Sequence, residues 1–144
     1  MNHTDKLIGA VEYFTAFLFG AVIYFLAEIV YRGYSHITMF FAGGICFFII
    51  YICEKYIPRM KLLYRCVLYA FMITAVEFVF GLVFNVWLKL NVWDYSCEPF
   101  NVFGQICPGF TLLWMALSVP AVWIAGKIRR FFSNVSKNLI KNAL

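Results

Sequence analysis

Residues 66–88 read CVLYAFMITAVEFVFGLVFNVWL, an apolar run broken only by the carboxylate of Glu77 and the amides and hydroxyls of Asn85 and Thr74. About 20 apolar residues cross a hydrocarbon core about 30 Å thick, so this run reads as a transmembrane helix. Residues 7–31, 37–57 and 106–124 are segments of the same kind. The chain therefore reads as an all-α integral membrane protein, a four-transmembrane-helix bundle. No Gly/Ser-rich or Pro-rich linker and no repeat divides it, so 1–144 is taken as a single membrane domain.

The basic residues orient the bundle. Of the 12 Lys and Arg residues, only Arg32 and Lys89 fall in the first and third connections. The rest lie at Lys6, at Lys55, Arg59, Lys61 and Arg65 around the second connection, and at Lys127, Arg129, Arg130, Lys137 and Lys141 after the fourth span. Basic segments stay cytoplasmic, so both termini and the loop at Pro58 are expected there and the 89–105 loop outside. A dual-topology proton exchanger of four short helices needs balanced charge, which this distribution opposes. The composition, 64% hydrophobic and 13% charged, is far from the charged quarter of a soluble domain. The first segment exceeds a signal-peptide h-region, carries Glu12 and Glu28 and lacks an A-x-A-like site, so it is expected to remain as a helix. The basic balance favours membrane lipid as a partner and not nucleic acid.

The connections can be read coarsely. Residues 32–36 are too few to let the first two spans be anything but antiparallel neighbours. Pro108 suits the first turn of the fourth helix, where its missing N–H had no partner anyway, and Pro120 is expected to kink that helix. After Gly126, apolar Ile128, Phe131, Phe132, Val135, Leu139 and Ile140 interleave with basic and Asn residues, which predicts an amphipathic helix over 127–144 on the inner leaflet.

Helices in lipid associate through small residues and polar contacts rather than through burial of Leu against Leu. Ala70, Thr74, Glu77 and Gly81 form one stripe at helical spacing, with Asn85 at its edge; Ala16 and Gly20 form a small-xxx-small pair, and Gly43 and Gly44 admit a close neighbour. Glu77 lies 12 residues past Arg65, hence about 18 Å deep. A carboxylate there must be protonated, paired or open to water, and such groups are functional candidates by default. Glu28 and Arg32 are four apart on one helix face, spaced for an ion pair or the mouth of a cavity. Glu12 reads as snorkelling to the inner surface or pairing with loop cations.

The longest polar interruption is VWDYSCEPFNVFGQ, residues 92–105. Asp94 and Ser96 can cap turns, Pro99 stiffens the middle and Gly104 permits unusual backbone angles. Trp93, Tyr95, Phe100 and Phe103 place the segment at the lipid interface or fold it back on the bundle as a lid. Cys97 and Cys107 are the two thiols able to meet outside, and they are weighed as a disulfide against the alternative that Cys107 points into the bundle. His3 and His36 show no metal-ligand spacing, and no G-x-S-x-G element or phosphate-binding loop is present.

Glu28, Arg32-Gly33, Glu77-Phe78, Gly81, Trp93-Asp94-Tyr95-Ser96, Pro99-Phe100-Asn101, Gly104-Gln105-Ile106-Cys107 and Trp114 together resemble the putative type IV ABC-transporter permease family of bacterial membrane proteins. The resemblance covers about 28–114. Many members follow the Arg-Gly with a Gly-Pro and a Pro-Ile-Tyr-Gly element, where this chain has YSHITM over 34–39. The resemblance implies a small inner-membrane permease, and the missing phosphate-binding loop means that any ATPase is a separate polypeptide.

The expected function is a small permease or permease-like subunit with an outward-facing polar cavity. Glu77 is its central polar group and Glu28 and Arg32 its mouth, with Asp94, Tyr95, Asn101 and Gln105 as lid or outer binding shell. No metal or cofactor is expected. Four helices rarely enclose a wide path alone, which points to a homodimer or a separate partner subunit. The rival readings are a non-transporting assembly or sensor subunit and, less favoured, a membrane-embedded lipid-modifying enzyme using Asp94 and Glu77.

Overall fold

A computed structural model describes residues 3–57 and 59–142, with side chains over 6–57 and 59–139. The helices are α1 (His3–Arg32), α2 (Ile37–Tyr56), α3 (Leu62–Phe80) and α4 (Pro108–Asn142), and a π-helical segment, Gly81–Trp87, continues α3. Four stretches, Lys6–Arg32, Ile37–Tyr56, Leu62–Trp87 and Pro108–Leu139, are long and apolar enough to span a membrane. Among the described residues there is no strand, only an isolated bridge between Val102 and Ile106. The protein is a multi-pass membrane four-helix bundle. Phe14, Ile23, Phe71, Leu112 and Trp123 stand exposed around it, as lipid rather than water requires.

Small residues set the helix contacts. A Cβ on Gly20 would lie 2.7 Å from the Gly43 carbonyl oxygen, and one on Gly43 would lie 2.9 Å from the Gly20 carbonyl oxygen, so α1 and α2 meet backbone to backbone. The Phe17 ring occupies the space that a Gly44 side chain would need. On α3, Ala70 is buried, Thr74 shares a 3.0 Å hydroxyl hydrogen bond with Thr111 of α4, and Gly81 leaves room for Gln105. The stripe of small and polar residues on α3 therefore faces α4 and the loop that leads into it.

Two elements depart from expectation. The tail is helical, but it is no separate helix: α4 runs unbroken through Pro120 and Gly126 to Asn142, 35 residues or about 52 Å. Gly126 costs about 1 kcal/mol relative to Ala without ending the helix, and Arg129, in the turn after it, donates to the Glu54 carbonyl at 2.9 Å and ties the extension to α2. The expectations for Pro58 and for the last residues of the tail fall outside the described residues. The third helix also ends differently, widening into π geometry with Leu88 N–H donating to the Val83 carbonyl at 2.9 Å.

Candidate functional site

The π segment presents Asn85 to the loop. Its Nδ2 donates to the Trp93 carbonyl at 2.9 Å and to Gln105 Oε1 at 2.8 Å, while its Oδ1 accepts the Val92 N–H at 2.6 Å. Trp93 Nε1 donates to the Gln105 carbonyl at 3.0 Å, and Gln105 Nε2 to the Phe103 carbonyl at 2.8 Å. These bonds press Val92 and Trp93 into a cluster with Met39, bordered by Tyr24, Phe80, Phe84 and Tyr95. The loop therefore folds back on the bundle. Lys89, Asn91, Phe100 and Phe103 all adopt positive φ, a conformation uncommon outside glycine that the surrounding hydrogen bonds must hold.

The outer half of the loop is closed by its own polar side chains. Asp94 accepts from the Ser96 N–H at 2.8 Å and from the Ser96 hydroxyl at 2.5 Å, and these bonds, the hydroxyl's first, hold its carboxyl below the usual carboxylate range. Asn101 donates to the carbonyls of Ser96 and Glu98 and accepts the Gly104 N–H at 3.0 Å. Gly104 at φ 68° would bring a Cβ 2.6 Å from the Ser96 hydroxyl, so glycine is required there.

Glu77 is buried where α3, α4 and this loop converge. Its Oε1 accepts from the Tyr95 hydroxyl at 2.9 Å and its Oε2 from Trp114 Nε1 at 3.0 Å. Both partners are donors, so together they satisfy a carboxylate. Tyr95 stacks on Phe110 with centroids 4.2 Å apart, and burial and then the neighbouring Glu77 hold its phenol above the ordinary range, so it stays a donor.

Glu77 lines a cavity of about 270 Å³ with apolar walls from all four helices, including Phe19 of α1, Ile50 of α2, Ile73 of α3 and Ala121 of α4. A second cavity of about 480 Å³, at the loop end of the bundle, is lined by Glu28, Arg32, Tyr31, Tyr95, Glu98 and Phe110 among others. The two share Tyr24, Ala27, Met39, Trp93, Trp114 and Leu117. At the mouth, Arg32 Nη2 bonds Glu28 Oε2 at 2.8 Å and Nη1 donates to the Val92 carbonyl at 2.7 Å, with the guanidinium over the Tyr34 ring. The Ser35 hydroxyl adds a 2.6 Å bond to the same Glu28 oxygen.

The expected site residues thus divide. Glu77, Glu28, Arg32 and Tyr95 are brought to the cavities, whereas Asp94, Asn101 and Gln105 line neither and organise the loop instead. Asp94 and Glu77 do not share a cavity. Cys97 and Cys107 are free rather than bridged, because Cys97 is exposed on the Ser96–Pro99 turn while Cys107 is buried at the start of α4. Glu12 is half-buried and accepts from the Tyr51 hydroxyl of α2.

The sequence reading missed a polar cluster at the opposite end. Glu54 is buried, pairs with Arg65 Nη1 at 2.6 Å and accepts from the Tyr69 hydroxyl at 2.7 Å. Its signal was a carboxylate and a guanidinium flanking one short connection, which only the chain reversal between α2 and α3 brings together. Trp93, marked in the sequence by the resemblance and as an interfacial or folded-back aromatic, and Trp114, marked by the resemblance alone, form walls common to both cavities.

The model of a family described as Putative ABC-transporter type IV matches residues 15–144. No curated protein and no solved structure matches the chain.

Proposed function

The chain belongs to the Putative ABC-transporter type IV family, and from that premise we propose that it is a permease or permease-like subunit whose cavity takes up a solute at the loop end. The observation that carries this reading is the placement of Glu77 on the wall of a cavity that shares six residues with a second cavity at the Glu28–Arg32 mouth. A carboxylate deep in a membrane is costly, and a path that solvates it or uses its charge gives it a role that packing alone does not. The basic residues of the α2–α3 connection and of the α4 extension favour the cytoplasm for that end of the bundle, with the loop and the mouth outside. Energy would come from a separate ATPase subunit, since the chain has no phosphate-binding loop.

The test is solute flux in vesicles containing the chain and the ATPase that copurifies with it from its native membrane. ATP-dependent flux that requires this chain, falling at least about tenfold in Glu77→Gln, is the expected result. Undiminished flux without the chain would make it a non-transporting subunit.

A further inference from the structure

The walls of the two cavities are chemically one-sided. Three carboxylates line them, Glu77 in one and Glu28 and Glu98 in the other, against a single guanidinium, Arg32. That guanidinium is already engaged by Glu28, by the Val92 carbonyl and by the Tyr34 ring. Glu28 places both of its protein hydrogen bonds on Oε2. Its Oε1 receives none among the described residues and is not among the buried unpartnered atoms, so it remains accessible. Arg32 Nε has no partner but is buried, so the mouth offers acceptor capacity and negative charge while its one cation stays paired with Glu28.

Aromatic rings complete the mouth. Tyr24, Tyr31, Trp93, Tyr95, Phe110 and Trp114 all line the cavity that carries Glu28 and Glu98. Ring faces attract cations, and cages of Trp and Tyr recognise quaternary ammonium groups. The deeper cavity offers chiefly apolar wall, suited to a hydrocarbon body, with Glu77 beside it. An anion would meet excess carboxylate, and a small hydrated metal ion would lose water to an apolar wall without enough oxygen ligands to replace it.

We propose that the paired cavities bind an amphipathic organic cation, its charge held between the aromatic rings and the Glu28 and Glu98 carboxylates and its apolar part reaching toward Glu77. This names the ligand class of the solute site proposed above and rests on that reading of the cavities.

The experiment compares two probes of nearly equal shape and opposite charge, tetraphenylphosphonium and tetraphenylborate. Binding is measured calorimetrically to the full chain in nanodiscs of neutral phosphatidylcholine. Tetraphenylphosphonium should bind saturably, and Glu98→Gln and Glu28→Gln should each weaken it several-fold and together about tenfold or more. Glu12→Gln, at the other end of the bundle, should leave binding unchanged. Glu98 is exposed, so its variant reports on charge even if Glu28→Gln disturbs folding. Equal or tighter binding of tetraphenylborate, or insensitivity to both mouth variants, overturns the proposal. Saturable cation binding without flux would sink the transport reading alone, whereas flux of an anionic or uncharged solute with no cation binding would sink the ligand class alone.

Discussion

Trp114 of α4 donates its indole N–H to Glu77 of α3 at 3.0 Å, and the two side chains together form part of the wall of the inner cavity. The bond joins residues 37 apart in the chain and, with the one from the Tyr95 hydroxyl, holds the buried carboxylate beside open space. A hydrogen bond to a charged group contributes about 1.5–3 kcal/mol when buried. Trp114→Phe keeps a ring and removes only the donor. The purified variant should lose about that much stability, while Glu77→Leu combined with Trp114→Phe should recover part of it. Equal thermal midpoints for the wild type and Trp114→Phe would show that the bond contributes nothing to folding.

The Glu54–Arg65 pair predicts a second stability effect. Both side chains are largely sequestered, at 10% and 15% exposure, and Arg65→Ala leaves the carboxylate with only Tyr69 as a side-chain donor. Stranding a buried charge costs about 3–5 kcal/mol, and the residual exposure here sets the lower end. The thermal midpoint in detergent should fall by several degrees, and Glu54→Gln in the same chain should restore part of it. A loss below about 1 kcal/mol would class the pair with exposed ion pairs.

Cysteine chemistry tests the loop and the topology together. Cys97 is exposed and Cys107 buried, and both are free. A membrane-impermeant maleimide applied outside should modify Cys97 in the folded protein and Cys107 only after unfolding. Non-reducing mass mapping should find no Cys97–Cys107 bridge. Labelling of Cys97 only from the cytoplasmic face would invert the orientation proposed here.

Acid should loosen the 89–105 loop through Asp94. Its folded-state pKa is depressed by the two bonds from Ser96, so the stability it contributes is present above its unfolded value of about 3.9 and is lost as pH falls through the lower folded value. Hydrogen exchange of the amides of Ser96 and Gly104 should accelerate, relative to intrinsic rates, between about pH 5 and about pH 2. Asp94→Asn should flatten that dependence. A profile identical in the variant would assign any acid loosening to another group.

The membrane bundle could be read from sequence because lipid imposes a one-dimensional constraint. Backbone groups have no water to bond, so each crossing must be a continuous apolar helix, and four such runs are visible without knowing any contact. The Glu28–Arg32 pair was legible for a related reason, since a helix fixes the distance between residues four apart. Small residues at helical spacing likewise announced the faces at Gly20, Gly43 and Gly81, because a close neighbour there leaves no room for a side chain.

The rest depended on elements far apart in the chain. Nothing in the local pattern shows that Asn85, placed only at the edge of a stripe, turns through a π segment to clamp the loop, or that Gln105 serves that clamp instead of a ligand. Neither Tyr95 nor Trp114 has a sequence relation to Glu77; the folded-back loop and the packing of α3 on α4 bring them there. Cys97 and Cys107 illustrate the same limit, since ten residues of chain permit a bridge and only the loop's fold sends one thiol outward and the other inward. Apolar length and charge asymmetry are additive along a chain, so the membrane fold is legible in the residues alone, as is the charge pattern behind its proposed orientation. Cavities and hydrogen-bond partners arise from the simultaneous placement of several helices, so which of the polar residues meet becomes visible in the folded bundle and not before.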